Sequence, residues 1–163
     1  LLTEDRKGQG LILNQSVLDN FALPNLGTLS KMGFVSKQQE KNRFADYVNS
    51  ISIKVHDYHT QAGNLSGGNQ QKVVLAKWLE SNCDIIIFDE PTRGIDVGAK
   101  YEIYVLMQAL ASKGKAIIMV SSELPEILGM SHRIVVMHEG KITGTISDVA
   151  NATQADVLKL AIK

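Results

Sequence analysis

The sequence contains a single cysteine, Cys83, so no intramolecular disulfide can form and no repeated cysteine spacing offers a zinc site. Net charge is lacking too: 17 Lys plus Arg balance 17 Asp plus Glu, which removes the electrostatic case for a nucleic-acid partner. No apolar run approaches the roughly 18 residues of a membrane-spanning helix, and the first residues lack the basic and apolar regions of a signal peptide. A cytoplasmic domain is therefore expected. There is no internal repeat and no low-complexity segment. His56 and His59 lie close together, but only Asp57 accompanies them and the stretch reads as a polar loop. What remains is a chain of 163 residues, 44% hydrophobic, long enough for one substantial core.

The informative stretch runs from Leu65 to Asp96. Ser66, Gly67 and Gly68 precede QQKVVLAKWL, a helix-favouring run, so the unpaired N–H groups of a helix start fall at the glycines. Such an end can receive an anion, and glycines let a ligand approach the backbone closely. Ser66 is equally an ordinary helix cap, and both roles use the same geometry. Ile85 to Phe88 form a short apolar run suited to a strand buried on both faces. Asp89 and Glu90 then arrive at the carboxyl end of that strand, where ligands bind in open α/β sheets. Asp89 suits Mg²⁺, directly or through water, and Glu90 suits the positioning or deprotonation of a water attacking a terminal phosphoryl group. The bland alternative is two solvated acids at a strand end.

Elsewhere the pattern is one of helices and strands in alternation. Asn14 to Leu23 predict a brief helix or turn ended near Pro24, followed by a loop through Gly33. Ser36 and Gln39 offer a capping box for a helix whose Phe44, Tyr47, Val48 and Ile51 share a core-facing side. After Asp96 an amphipathic helix carries Ile103, Leu106, Met107 and Leu110 and stops near Gly114. Ala116 to Val120 predict a buried strand, Leu124 to Gly129 a short helix, and Ile134 to Met137 a further strand. Glu139 to Lys141 predict a turn into Ile142 to Ile146, and Thr153 with Asp156 a cap for a last helix. The alternation argues for a layered α/β core. Cys83 reads as a small boundary residue.

These motifs resemble the nucleotide-binding domain of ABC transporters. Leu65 to Gln70 match the ABC signature, Ile85 to Glu90 the Walker B strand with its catalytic glutamate, and Gly94 to Asp96 the D-loop. The longer runs LSGGNQQKV and DEPTRGIDVGAK are similar to the second ATPase half of tandem bacterial monosaccharide importers of the ribose, galactose, xylose and arabinose type. The fold implied is α/β, an incomplete P-loop NTPase core of the ABC type with a small helical subdomain. Residues 1–163 would form a partial nucleotide-binding domain, 14–81 its helical region with the signature, and 82–163 its α/β core with Walker B and the D-loop.

The resemblance also implies roles. Glu90 would be catalytic, Ser66, Gly67, Gly68 and Gln70 would contact nucleotide, and Asp89 would hold the metal. Glu4 aligns with the Q-loop glutamine and would keep a metal-facing role, its alternative being a solvated acid. The cofactors implied are ATP and Mg²⁺. The partners implied are another ABC ATPase half, membrane permease subunits and, indirectly, an exported sugar-binding protein, with the domain peripheral on the inner face of the membrane. No G-x-x-x-x-G-K-[ST] phosphate loop occurs in the sequence, so the chain is expected to be the downstream part of such a domain, with little ATP affinity or ATPase activity by itself. Ser122 stands where the family's switch histidine usually follows its strand, replacing a titratable ring by a neutral hydroxyl. A non-transport ABC ATPase of DNA repair, chromosome organisation or translation, and a regulatory domain without turnover, are the alternatives. The sugar is not legible.

Overall fold

A computed structural model describes residues 1–31 and 34–162. The chain divides into two compact units, Leu1–Ile118 and Met119–Lys163. This division falls elsewhere than the 14–81 and 82–163 regions read from the sequence. The reason lies in the long helix after the glycines, which packs on both the helices before it and the helix after it.

The first unit opens with a backbone segment beside a strand and a single π-type turn, Arg6–Gly10, capped by Asp5, whose carboxylate accepts the Gly8 N–H at 2.9 Å. Helix α1 (Val17–Ala22) starts where the Ser16 hydroxyl accepts the Asp19 N–H, and Pro24 turns its end into a 3₁₀ turn, Leu23–Asn25. The loop expected through Gly33 instead holds helix α2 (Leu26–Leu29) and strand β1 (Ser30–Lys31), paired antiparallel with β2 (Phe34–Val35). Local polar groups stabilise it: the Thr28 hydroxyl donates to the Asn25 carbonyl and the Ser36 N–H to that of Leu29. Gly33 itself lies outside the described residues.

Helix α3 (Lys37–Ser50) begins at Ser36, whose hydroxyl accepts the Gln39 N–H. Its Phe44 is fully buried, and Tyr47, Val48 and Ile51 lie half-buried beside it. Phe21 and Phe44 pack tilted with ring centroids 5.2 Å apart, Tyr47 tilts onto Phe21 at 5.6 Å, and Tyr58 meets Phe44 edge-on at 5.1 Å. The fully buried Phe21 and Phe44 rings each contribute about 1.5–3 kcal/mol by leaving water. Burial, reinforced by the Glu80 carboxylate, pushes the Tyr47 phenol up to about 12.

Helix α4 (Gly67–Leu79) buries nearly its whole length. Asn25 donates to the Lys77 carbonyl at 2.8 Å, and the Lys77 ammonium, its pKa lowered by burial, donates to the Gly10 carbonyl. Lys72 donates to the Ser52 carbonyl and pairs with Glu102 on α5 (Val97–Ser112) at 2.6 Å, tying the two helices together. On α5, Ile103, Met107 and Leu110 are buried as their spacing predicts, and Leu106 is half-buried.

Strand β3 (Ile85–Asp89) pairs with β4 (Ala116–Val120), and Leu2 lies parallel beside its Phe88. The expectation of strands buried on both faces is not met. Ile86 and Phe88 are buried, but Ile85 is 61% exposed, and in β4 Ala116, Ile118 and Val120 are exposed. Burial alternates with the two-residue period of a strand covered on one face only.

The second unit holds helix α6 (Leu124–Met130), the antiparallel hairpin of β5 (Ile134–His138) and β6 (Lys141–Ile146), and helix α7 (Gln154–Ala161). The hairpin turns through Glu139 and Gly140, both at positive φ. Its core is Ile134, Val136, Val149 and Val157. Thr153 and Asp156 make the reciprocal box expected of them at the start of α7. No helix among the described residues is long and apolar enough to cross a membrane.

Candidate functional site

The start of α4 is set by Ser66. Its hydroxyl accepts the Asn69 N–H and the Asn69 side-chain amide, the latter at 3.0 Å, while Asn69 Oδ1 accepts the Lys54 N–H at 2.8 Å. Ser66 is exposed, Gly67 half-buried and Gly68 buried, so the outward-facing part of the helix start is the Ser66 cap itself. Gln70 departs from the expectation of a nucleotide-facing side chain. It is 3% exposed and donates to the Ala62 carbonyl, because the helical period carries residue 70 onto the buried face with Val73, Val74 and Lys77. Asn69, which sequence reasoning passed over, stands at the open end instead; its three-residue spacing from Ser66 was the available signal.

The two glycines face the chain itself. A Cβ at Gly68 would lie 2.7 Å from the Ala99 Cβ on α5. A Cβ at Gly67 would lie 3.0 Å from the Arg6 Nη2 and 3.3 Å from the Gly94 carbonyl oxygen. The glycines thus permit the α4 start to close on the loop before α5 and on the first turn of α5, where Asp96 caps the helix by accepting the Ala99 N–H.

The carboxylates sit at the end of β3 as the apolar run predicts. The Asp89 N–H donates to the Leu2 carbonyl at 2.9 Å, which brings the segment of Glu4 alongside the strand end. Glu90 follows at φ 46, a left-handed conformation rare for a residue with a side chain, and the Arg93 N–H closes the turn onto the Glu90 carbonyl. Both carboxylates are half-buried.

Glu4 forms an ion pair with Arg93, and Arg6 donates to the carbonyls of Arg93 and Gly94 at 2.8 and 3.2 Å. Glu4, Asp5, Arg6, Lys7 and Arg93 line a shallow depression of about 270 Å³. Arg6 carries no motif of its own and Arg93 falls inside the DEPTRGID run without an assigned role, so only the fold reveals their meeting. Among the described residues no three His, Cys, Asp or Glu side chains gather to hold a metal. The half-buried Asp89 carboxylate at the end of β3 suits Mg²⁺, which takes one or two carboxylates together with water and substrate phosphates. Ser122 is exposed and belongs to the second unit, where neighbouring Ser121 donates to Glu126 and accepts the Glu123 N–H.

Comparison with known proteins gives a consistent picture. A family model described as ABC transporter matches residues 4–93. The ribose import ATP-binding protein RbsA of Bacillus licheniformis is 51% identical over 160 residues, 98% of this chain, and that of Bacillus subtilis strain 168 is 52% identical over the same share. The chain spans about a third of the length of these relatives, 32% of each. Among solved structures, the dimeric ATP-binding cassette MJ0796 bound to ADP and Pi superposes with a TM-score of 0.71 at 24% identity, covering 85% of this chain and 60% of that one. The ATP-binding cassette MJ1267 in its ADP conformation gives 0.73 at 21% identity, covering 91% and 63%.

Proposed function

The chain belongs to the ABC transporter family, and from that premise we propose that it is part of the second nucleotide-binding half of a tandem monosaccharide-importer ATPase, downstream of that half's phosphate loop. The observation that carries the reading is the exposed Ser66 cap at the start of α4, in the same unit as a strand end bearing Asp89 and Glu90. The identity of about half to ribose-import ATP-binding proteins supports the sugar-import assignment.

In this reading the Ser66 hydroxyl and the N–H groups that follow receive the terminal phosphate of ATP held by another half. Asp89 would hold Mg²⁺, through water or directly, and Glu4, here paired with Arg93, would be a second carboxylate for it. When bound, the metal neutralises charge on the phosphate oxygens. Glu90 orients or deprotonates the attacking water at the site of its own half. By the family resemblance Ser122 stands in sequence where the switch histidine would, a neutral hydroxyl in place of a titratable ring, so most turnover is assigned to the other site. Pairing of the two halves around nucleotide then drives a permease that receives sugar from an exported binding protein, with this domain peripheral on the cytoplasmic face.

Ser66 is a cleaner probe of this reading than Gly68, since Gly68 is packed against Ala99 and its replacement disturbs the chain itself. In the whole transporter, Ser66→Trp is expected to abolish ATP-dependent closure of the paired halves while leaving the fold intact. Glu90→Gln is expected to spare most ATP turnover. Normal closure in Ser66→Trp, measured by crosslinking or by ATP-dependent sedimentation, would overturn the assignment.

A further inference from the structure

We propose that Arg6 is a positioning residue that links the start of α4 to the loop following Glu90, so that displacement of one is felt by the other before any nucleotide arrives. The inference rests on the proposed function only for its consequence in catalysis; the linkage itself rests on geometry within the first unit.

Three segments distant in sequence meet at one guanidinium. From its own segment Arg6 reaches across to donate Nη1 to the Arg93 carbonyl at 2.8 Å and Nη2 to the Gly94 carbonyl at 3.2 Å. From the third direction Gly67 comes so close that a methyl group would lie 3.0 Å from the same Nη2. Both carbonyls belong to the turn between β3 and α5, outside any strand or helix, where Gly94 sits at φ 68. A planar guanidinium offers two donors at fixed spacing, which a lysine ammonium cannot reproduce. The Nε of Arg6 is buried without a hydrogen-bond partner among the described residues, so the head group is held by its Nη contacts and by packing.

The neighbouring Glu4–Arg93 pair is a weaker element. Its side chains are 45% and 66% exposed, and an ion pair so solvated contributes little and is screened by salt. Arg6, bonding backbone from a charged donor, is the stronger tie. Gly67 is therefore small for an internal reason, in addition to any ligand approach: a side chain there drives Nη2 away from the Gly94 carbonyl. An anion drawn onto the Ser66 end moves Gly67 and, through Arg6, the loop that begins at Glu90.

The test is a double-mutant cycle of Arg6→Ala and Gly67→Ala in the full-length protein without nucleotide, read by amide hydrogen exchange. The Arg93 N–H, bonded to the Glu90 carbonyl, and the Ala99 N–H, bonded to Asp96, report on the loop. Arg6→Ala is expected to speed exchange at Arg93 roughly tenfold, the scale of one hydrogen bond from a charged donor, with Arg6→Lys restoring only part of it. Gly67→Ala is expected to speed it similarly in the native background and not further beside Arg6→Ala. Amides of β5 and β6 serve as the control and stay unchanged. Independent, multiplying effects, or an unchanged Arg93 amide, would overturn the linkage. If Arg6→Ala does not fold, the cycle is run with Arg6→Gln and has the same two outcomes. In turnover, Arg6→Lys is expected to lower kcat while leaving KM for ATP within about twofold. Because exchange is read without ATP, failure of the Ser66→Trp experiment strikes the proposed function and leaves this cycle standing, whereas multiplying exchange effects strike the linkage alone.

Discussion

The aromatic cluster around Phe44 and the junction around Arg6 stabilise the same unit by different physics. Phe21, Phe44, Tyr47 and Tyr58 hold helices by area removed from water, a force with little directional demand. Around Arg6 the chain is polar and glycine-rich: Glu90 holds a strained positive φ, Gly94 turns at positive φ without strain, Cβ atoms at Gly67 and Gly68 would lie 3.0 and 2.7 Å from their nearest neighbours, and two loop carbonyls accept from one guanidinium. The first region tolerates chemical drift provided volume is kept, whereas the second tolerates almost none. A region that depends on direction rather than area can also be switched at small cost, which suits the role proposed for the start of α4.

The largest expected effect falls in the first region. Phe44→Ala removes a fully buried ring touching both Phe21 and Tyr58 and is expected to cost about 3–5 kcal/mol. Denaturant unfolding measures it, and a loss below about 1 kcal/mol would show that the cluster is less tightly packed than the contacts indicate. At the junction, Gly68→Ala forces a methyl to within 2.7 Å of the Ala99 Cβ and is expected to cost about 1–3 kcal/mol. Adding Ala99→Gly should recover a substantial part of that loss. Without recovery, the Gly68 requirement is not one of packing and the contrast between the regions weakens.

A third prediction separates burial from hydrogen bonding inside the aromatic region. Burial raises the Tyr47 phenol from 10.0 to about 12, so the folded protein keeps a proton that the unfolded chain releases. The stability from this group is complete below pH about 10 and is lost as pH rises through about 12. Tyr47→Phe is therefore expected to flatten the alkaline fall in stability over that window, seen as parallel unfolding curves where the native protein's diverge. An unchanged slope would mean that another group governs the alkaline limit.

Much of the fold was legible because it follows local rules. The Ser36, Ser66 and Asp96 helix starts, the Thr153–Asp156 box and the Glu139–Gly140 turn depend on residues three or fewer positions apart. The stripe through Phe44 and the buried positions of α5 follow from the helical period. Less legible was whatever depends on what lies on the other side. The apolar run Ile85–Phe88 read as buried on both faces and Ala116–Val120 as a buried strand, yet hydrophobicity states only that cover is favourable and not that it is present. At the candidate site the strand-end acids and the capped helix start were readable from their neighbours. The inward turn of Gln70 and the reach of Arg6 across 88 positions to Gly94 were not, since the first depends on helix phase against packing and the second on tertiary approach.

The smallest expected effect sharpens the comparison most, because it concerns a contact in the junction that should hardly matter to stability. Glu4→Gln keeps the shape of the side chain and removes the charge that faces Arg93. Both groups are substantially exposed, so the loss should be at most about 1 kcal/mol at low salt and should fade as ionic strength rises toward 1 M, where screening acts over about 3 Å. Arg6→Ala, by contrast, removes two hydrogen bonds to backbone and its effect should persist in salt, since those bonds join a charge to neutral carbonyls rather than to another charge. Measuring both variants by urea unfolding, a nonionic denaturant, across a salt series separates the two contributions. A loss in Glu4→Gln that equals that of Arg6→Ala and survives high salt would place the Glu4–Arg93 pair, and not the guanidinium of Arg6, at the centre of the junction.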